Sequence, residues 1–227
     1  MTSGVQWAAA PRALRIRPND VHVWRATLDV PASTVAALAR TLGPDERDQA
    51  SAFHRQRDRS RFVAAHGILR AILARYLGIA PRDIAFARGP GGKPCLADEI
   101  DARSLRFNLA HSEGLALCAV AYGRDVGVDV ERIAPELADL RIAEAYFAPE
   151  ELETLRAAAP EARPRQFFTL WTRKEAALKA TGEGIPLGLA QGSHPECSVK
   201  SLSAADDYVG AVATFGEGWS LAPFAWR

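Results

Sequence analysis

Two carboxylates stand two residues apart in the segment Gly127-Val-Asp129-Val-Glu131. Alternate side chains of a β-strand share a face, so Asp129 and Glu131 are predicted to point one way and the valines the other. Two like charges on one face repel each other unless a cation lies between them. Carboxylate oxygens on a rigid strand, beside a glycine that leaves room, suit Mg²⁺. The structural alternative is a strand end in solvent, with Glu131 paired to a surface base such as Arg132, and the segment taken alone favours it.

A second group of ionisable side chains lies in Trp171-Thr-Arg-Lys174-Glu175-Ala-Ala-Leu-Lys179. Trp171, Glu175 and Lys179 recur every four residues and therefore share one row of a helix, with Lys174 beside it. A lone Glu–Lys pair at this spacing is more often a surface ion pair worth about 0.3 kcal/mol. Beside the apolar patch of Phe167 and Trp171, however, a carboxylate and two ammonium groups would be partly desolvated. That environment is typical of a metal ligand or proton acceptor flanked by phosphate-binding cations.

A third group combines a lysine after a glycine loop with a histidine at the end of a predicted strand. Lys93 follows the run Gly89-Pro-Gly-Gly and precedes Pro94. A fixed cation beside free backbone N–H groups favours a phosphate ligand. His111 and Ser112 end the strand predicted to begin near residue 105. A histidine at that position is usually a capped core residue, but it can also face a cleft.

A fourth group is a cluster of arginines near the start of a predicted helix. Arg55 and Arg59 form one helical row, and Arg57 and Arg61 form another on roughly the opposite side. A solvated basic helix is the more common explanation of such a run. The alternative assigns Arg57 and Arg61 to a polyanionic ligand.

The elements that carry these groups predict an α+β protein. Hydrophobic periodicity and glycine or proline stops predict helices over 32–42, 44–77, 136–146, 149–158 and 163–181. Strands are predicted over 84–86, 105–110, 115–122, 126–133, 198–202 and 208–215. Because the order of helices followed by strands occurs twice, we expect two similar, pseudo-duplicated lobes, 1–123 and 124–227, each a small antiparallel sheet packed with a long helix.

Composition excludes several classes of protein. With 227 residues, 48% apolar and 24% charged, the chain is an ordinary globular protein. Its longest apolar run, 115–122, is too short to cross a membrane, and the basic residues follow the short apolar patch near the N-terminus, so we expect a cytoplasmic protein with no membrane partner. The three cysteines lie far apart, which argues against disulfides and cysteine metal sites. With 28 basic and 27 acidic residues, the net charge of +1 argues against nucleic-acid binding.

Taken together and in this order, the motifs Gly-Lys-Pro, Phe-Asn-x-x-His-Ser, Gly-Val-Asp-Val-Glu and Trp-x-x-Lys-Glu-Ala-x-x-Lys resemble the 4′-phosphopantetheinyl transferases. The length is similar to that of the longer, two-lobed Sfp-type branch. The resemblance implies Mg²⁺-dependent transfer of the phosphopantetheine arm of coenzyme A to a serine hydroxyl of an acyl or peptidyl carrier protein, with release of adenosine 3′,5′-bisphosphate. The tryptophan and the Lys-Glu-Ala triplet resemble the sub-branch of surfactin-synthetase activators, which implies secondary metabolism.

The resemblance also implies roles for individual residues. The matched magnesium ligands lie in the second lobe and are Asp129, Glu131 and Glu175. The first lobe is expected to contact the adenosine and the phosphates of coenzyme A, and its matched residues are Arg57, Arg61, Arg88, Lys93, His111 and Ser112. In the second lobe, Lys174 and Lys179 match the helix lysines near the pyrophosphate. The expected catalytic groups are Glu175, Lys179, Lys174 and His111, and Glu175 or a water on the metal is the candidate base. Two fused lobes imply a monomer.

The sequence departs from the family pattern at three positions, and three other functions are alternatives to the transferase. Glu46 and Gln49 stand where some relatives have lysines, and Ala110 stands where a serine often precedes the histidine. A Mg²⁺-dependent hydrolase of nucleotide pyrophosphates would use the same metal and cations. A nucleic-acid-binding module would use the arginine cluster, but no aromatic residues interleave with it. An inactive scaffold that holds coenzyme A is a further alternative.

Overall fold

The structure is a computed structural model that describes residues 5–98, 104–182 and 197–227. Within those ranges the chain forms ten β-strands and six α-helices. The strands are β1 (Ala8–Ala9), β2 (Asp20–Thr27), β3 (Phe86–Arg88), β4 (Pro94–Leu96), β5 (Leu105–Ser112), β6 (Leu115–Tyr122), β7 (Val126–Arg132), β8 (Cys197–Ala205), β9 (Tyr208–Phe215) and β10 (Ser220–Ala225). The helices are α1 (Ala32–Ala39), α2 (Pro44–Ser51), α3 (Gln56–Leu77), α4 (Leu140–Tyr146), α5 (Pro149–Ala157) and α6 (Arg163–Thr181). None of the helices described here has both the length and the apolar composition needed to span a bilayer.

The strands assemble into two main sheets and a short β3–β4 pair. The first sheet has the order β1-β10-β2-β6-β5, and the second has the order β7-β9-β8. The second sheet is antiparallel throughout. In the first, β1, β10 and β2 run parallel to one another, so this sheet is mixed rather than wholly antiparallel as expected. The predicted α+β class with two lobes is confirmed.

The two sheets pack face to face between two long helices. Helix α3 covers one face of the five-stranded sheet, with Ile72 fully buried in that cluster. The opposite face packs on the three-stranded sheet, where Leu117 of β6 and Val128 of β7 lie in one buried cluster. Helix α6 covers the far side of the three-stranded sheet through small residues, with Ala176 against Ala211. The order of layers is therefore helix, sheet, sheet, helix.

Three strands of the first sheet, β1, β2 and β10, are absent from the sequence-based prediction. Strand β2 lies at the centre of the sheet and is buried along most of its length, so it lacks the alternation that marks a half-exposed strand. Strand β10 comes from the end of the chain and pairs with β2, placing Phe224 opposite Trp24. The last strand thus crosses from the second half of the sequence into the sheet of the first. The division of the chain at residue 123 stays a prediction.

The helical stretch predicted over 44–77 consists of two helices, α2 and α3, separated by residues 52–55. In one continuous helix, Glu46 and Arg70 would lie about 36 Å apart along the axis. Instead, Nε of Arg70 donates a hydrogen bond to Glu46 Oε2 at 2.6 Å, so α2 folds back on α3. The predicted stops of α3 and α6 are confirmed, because Gly78 and Gly182 end these helices with φ of 68° and 74°.

Candidate active site

Strand β7 carries the two carboxylates that the sequence singles out. Its valines are buried against the five-stranded sheet, and the face that bears the carboxylates meets α6. Asp129 is only 4% exposed. Its Oδ1 accepts a hydrogen bond from Nζ of Lys179 at 2.6 Å, while its Oδ2 is buried with no hydrogen-bond partner among the described residues. One oxygen of a deeply buried carboxylate is therefore left for a ligand.

The carboxylates of this site interact electrostatically. Burial raises the pKa of Asp129 to about 7, because the protein interior disfavours the charged form; Lys179 lowers this pKa, and Glu131 and Glu175 raise it. Burial also raises the pKa of Glu131, against the lowering effect of the Ser112 hydrogen bond and of Lys179, and Glu175 adds to the increase. The three carboxylates therefore repel one another where water is scarce, and an added cation would relieve that repulsion.

Gly127 determines how closely α6 approaches the carboxylate strand. A Cβ built at this residue would lie 2.0 Å from the backbone oxygen of Ala176, so no side chain fits between strand and helix. The space beside the glycine is filled by helix backbone rather than kept for an ion, which differs from the expectation. Because the helix lies directly on the strand, Lys179 reaches Asp129, and Glu175, 8% exposed, lies against the same face.

Side chains of β5 hold β7 in register across the two sheets. Asn108 Oδ1 accepts a hydrogen bond from the backbone N–H of Val128 at 2.9 Å. Ser112 Oγ donates to Glu131 Oε2 at 2.8 Å and accepts from the N–H of Arg132 at 3.2 Å. The Ser112 hydroxyl thus orients a carboxylate instead of standing free for coenzyme A. Asn108 was missed by sequence reasoning, although a buried polar residue four positions before Ser112 on one face of a strand is a usable signal.

The donor set at this site fits a magnesium ion in its chemistry. Asp129, Glu131 and Glu175 supply hard oxygen ligands, and the unpartnered Oδ2 of Asp129 is the atom most in need of a cation. No group of three or more His, Cys, Asp or Glu side chains in the described ranges is already arranged around an ion position. Lys179 and Ser112 each hold one of the carboxylate oxygens at present. The three magnesium ligands implied by the resemblance stay a prediction.

A cavity of about 440 Å³ opens beside this site, between α2, α3 and strands β3 to β5. His111, at the end of β5, lines it. The pKa of His111 is lowered, first by removal of the imidazolium from water and then by the nearby His66 and Lys179. His111 therefore lies within electrostatic reach of both the cavity wall and the carboxylate site. The residues that line the cavity are Asp45, Glu46, Gln49, His66, Leu69, Phe86, Ala87, Arg88, Pro94, Phe107, Asn108, Leu109 and His111.

A buried ionic network that the sequence did not reveal forms one wall of this cavity. Glu46 Oε1 lies 3.0 Å from Nδ1 of His66, and Glu46 Oε2 accepts from Arg70 Nε at 2.6 Å and from the N–H of Gly43 at 2.7 Å. Arg70 also donates to the backbone oxygen of Ile84 at 2.8 Å. The pKa of Glu46 is lowered, because these donors outweigh the effect of burial. The network becomes visible only once α2 folds back on α3.

Lys93 follows the glycine loop as expected, but its ammonium contacts backbone oxygens of the other lobe. Its Nζ donates to the carbonyl of Val126 at 2.9 Å and to that of Ala180 at 3.3 Å. Burial lowers the pKa of Lys93. The Ala180 carbonyl is one of the last four of α6, which lack partners within the helix. Lys93 therefore links the start of β7 to the end of α6.

The arginines implied for the adenosine end are in different surroundings. Arg61 donates to both carboxylate oxygens of Asp29, at 2.7 and 2.8 Å, and to Glu113 at 2.7 Å, so its guanidinium joins two loops. Arg57 is largely exposed at the start of α3. Arg88 lines the cavity, and its Nη1 donates to the backbone oxygen of Gly92 at 3.3 Å.

Lys174 is paired with a carboxylate of helix α5 rather than with Asp129, the partner of Lys179. Its Nζ lies 2.8 Å from Glu151 Oε2, and the side chain is 10% exposed. Glu151 also accepts the N–H of Ala148, so this pair ties α6 to the start of α5. The structure therefore brings Asp129, Glu131, Glu175, Lys179 and Ser112 together, places His111 and Arg88 on the neighbouring cavity, and holds Lys93, Lys174, Arg61 and Arg57 elsewhere.

Comparisons with known proteins agree with this architecture. Residues 125–218 match the family model of the 4′-phosphopantetheinyl transferase superfamily, and residues 23–122 match that of the 4′-phosphopantetheinyl transferase N-terminal region. The 4′-phosphopantetheinyl transferase HetI of Nostoc sp. is 41% identical, over 94% of this chain and 95% of its own. A putative 4′-phosphopantetheinyl transferase of Synechocystis sp. is 37% identical over 75% of this chain and 68% of its own. Sfp of Bacillus subtilis is 30% identical over 65% of this chain and 63% of its own. This chain belongs to the 4′-phosphopantetheinyl transferase superfamily and is a transferase enzyme.

Proposed function

We propose that the enzyme transfers the 4′-phosphopantetheine group of coenzyme A to a serine hydroxyl of an apo acyl or peptidyl carrier protein. In this reaction the serine oxygen forms a bond to the phosphorus next to the pantetheine arm. The bond from that phosphorus to the bridging oxygen breaks, and adenosine 3′,5′-bisphosphate leaves. The observation that carries the proposal is the buried Asp129 carboxylate, bonded to Lys179 through one oxygen and open at the other.

The electrostatics of the site suit an attack on a pyrophosphate. Coenzyme A brings roughly four negative charges, which must be neutralised before another oxygen can approach. Asp129, Glu131 and Glu175 would hold Mg²⁺, which when bound supplies charge neutralisation at the pyrophosphate and stabilises the leaving oxygen. Lys179 is one-third exposed while bonded to Asp129, so its ammonium is available to a phosphate oxygen as well.

Glu175 is the proposed base. Its carboxylate is nearly buried and lies next to two other carboxylates, so taking the proton of the serine hydroxyl reduces the repulsion among them. Ser112 holds Glu131 by a hydrogen bond and leaves Glu175 to accept the proton. Water is restricted there because α6 lies directly on β7 at Gly127.

The cavity beside the carboxylates is the proposed place for the nucleotide of coenzyme A. Its volume of about 440 Å³ lies within the usual range for small-molecule sites. His111 lines this cavity and interacts electrostatically with Lys179, so a nucleotide in the cavity would bring its pyrophosphate towards the carboxylates. The proposed binding residues besides His111 are Arg88, Arg57, Arg61, Lys93 and Lys174, of which only Arg88 lines the cavity.

We also propose that the enzyme works as a monomer in the cytoplasm. Its two sheets bury one shared cluster within a single chain, which supplies an interface without a second copy. Its three cysteines lie far apart in the sequence with no Cys-x-x-Cys pair, a distribution that is usual in a reducing compartment. Light scattering during size-exclusion chromatography tests the monomer, and a mass near 49 kDa, twice the 24.5 kDa of the chain, would contradict it.

The decisive experiment mixes the enzyme with coenzyme A, Mg²⁺ and a panel of apo fatty-acid, polyketide and peptidyl carrier proteins. Mass spectrometry of each carrier should show the gain of one phosphopantetheine group, and the same carrier with its acceptor serine changed to alanine should show none. Asp129→Asn should abolish the gain, whereas the matched control Asp206→Asn, on an exposed turn, should not. Consumption of coenzyme A without any carrier would instead indicate a pyrophosphate hydrolase.

A further inference from the structure

One side chain of the cavity wall has no role in the proposed reaction, and it is held in place by a buried carboxylate. His66 of α3 lines the cavity with its Nδ1 3.0 Å from Glu46 Oε1. Its ring stacks on Phe62, with ring centres 4.1 Å apart. Glu46 is itself held by Arg70 and by the N–H of Gly43. The imidazole is therefore fixed on one nitrogen and one face, and Nε2 remains for a ligand.

The charge of Glu46 does not prevent an anion from binding beside His66. The guanidinium of Arg70 lies 2.6 Å from the same carboxylate and is almost fully buried behind it. That ion pair is neutral as a unit, so it orients His66 without presenting a net negative charge to the cavity. The orientation is the kind that a carboxylate gives to a histidine when the other ring nitrogen is to contact a ligand.

His111 connects the cavity electrostatically to the carboxylate site. It lines the cavity together with His66, and both His66 and Lys179 are close enough to affect its charge. On the proposed function, the pyrophosphate lies at the end with Lys179 and His111. Coenzyme A carries one more phosphate, on the 3′-oxygen of its ribose, which needs a polar partner of its own in the cavity. Helix α2 contributes Asp45, Glu46 and Gln49 to this wall and no cation, so among the lining residues the remaining groups able to contact a phosphate as cations are His66 and Arg88.

We propose that His66 binds the 3′-phosphate of coenzyme A and makes the enzyme prefer coenzyme A to its 3′-dephospho form. Glu46 is the positioning residue, because it holds the imidazole through Nδ1. The inference rests on the proposed function and deepens it by naming the residue that reads one phosphate of the substrate. A hydrogen bond from the imidazole to an ionised phosphate is charge-assisted, because the acceptor carries charge, and such bonds are the stronger class.

The test measures kcat/KM with coenzyme A and with 3′-dephospho-coenzyme A, which differ by one phosphate. The wild-type enzyme should prefer coenzyme A. His66→Ala should lower kcat/KM for coenzyme A about 10- to 100-fold and change that for the dephospho form by less than about twofold. His66→Lys, which returns a cation, should restore the preference. The matched control His54→Ala, at an exposed histidine outside the cavity, should change neither value.

Two results would overturn the inference. An equal loss with both substrates in His66→Ala would mean that the ring only supports the fold, and an unchanged preference would mean that the 3′-phosphate binds elsewhere. Calorimetry with adenosine 3′,5′-bisphosphate and adenosine 5′-monophosphate repeats the comparison without turnover. If the wild-type enzyme loads no carrier protein, the proposed function fails. The calorimetry still decides whether His66 distinguishes the two nucleotides.

Discussion

Replacing Gly127 by alanine tests whether the close approach of α6 to β7 builds the catalytic site. The added Cβ would lie 2.0 Å from the backbone oxygen of Ala176, where ordinary contacts begin at 3.4 Å. The helix must therefore withdraw by about 1.4 Å, the difference between these two distances. The atoms nearest to the added Cβ all belong to the backbone of α6, so no side-chain rotation can relieve the overlap.

The displacement should reduce the rate much more than the stability. Overpacking of a core by one methyl group costs about 1–3 kcal/mol, which for a chain of this size lowers Tm by roughly 2–12 °C. A displacement of about 1 Å in a catalytic site costs about 100-fold in rate. Because Glu175 and Lys179 move with the helix while the cavity wall on α2 and α3 does not, kcat should fall about 100-fold and KM for coenzyme A should change by less than about threefold.

The assay is the initial rate of carrier loading followed by mass spectrometry, with Tm from thermal unfolding. The control is Gly78→Ala, where φ is +68° and no described atom lies within 4 Å of the added Cβ. Its strain of about 1–2 kcal/mol should lower Tm without lowering kcat. The reasoning would be refuted by a Gly127→Ala enzyme whose kcat is within twofold of the wild-type kcat and whose Tm is within 1 °C of the wild-type Tm. Such a result would mean that the helix does not lie on the strand.

Three further predictions concern single side chains. Glu175→Gln should lower kcat about 10²- to 10⁴-fold while Mg²⁺ still binds, and near-normal turnover would exclude the base role. Lys93→Met leaves the Val126 and Ala180 carbonyls without their donor, so it should lower the free energy of unfolding by about 1–3 kcal/mol and also lower kcat. A tenfold rise in KM for coenzyme A with unchanged Tm would instead support direct contact between Lys93 and a phosphate. The pKa of Asp129 is about 7 in the folded state, whereas an unperturbed aspartate has a pKa of 3.8, so the folded state binds the proton more tightly. The metal-free enzyme should therefore lose stability as pH rises from about 4 to 7. Thermal unfolding at pH 5 and 8 should show a smaller loss for Asp129→Asn than for the wild type, and equal losses would contradict the assignment.

Local periodicity accounts for what the sequence predicted well. Strands β6 and β9 and helix α6 have the predicted bounds, because alternation and glycine stops depend only on neighbouring residues. The same reasoning placed Asp129 and Glu131 on one face of a strand and Glu175 and Lys179 in one row of a helix. That these two elements meet is a matter of packing, and Gly127 is the only local sign of it.

Tertiary structure alone decided which charged groups are free and which are held. The sequence identifies Lys93, Lys174 and Arg61 as cations but not their partners. Lys93 is held by the carbonyls of Val126 and Ala180, and Lys174 is held by Glu151. Arg61 is held by Asp29 and Glu113, and most of these partners lie far away in the chain. The fold of α2 onto α3, which joins Glu46 to His66 and Arg70, depends on a four-residue break that no periodicity marks. The sequence shows which residues have side chains capable of catalysis or binding. Which charges contact one another depends on how distant segments pack, because Coulomb energies and desolvation vary with distance and burial.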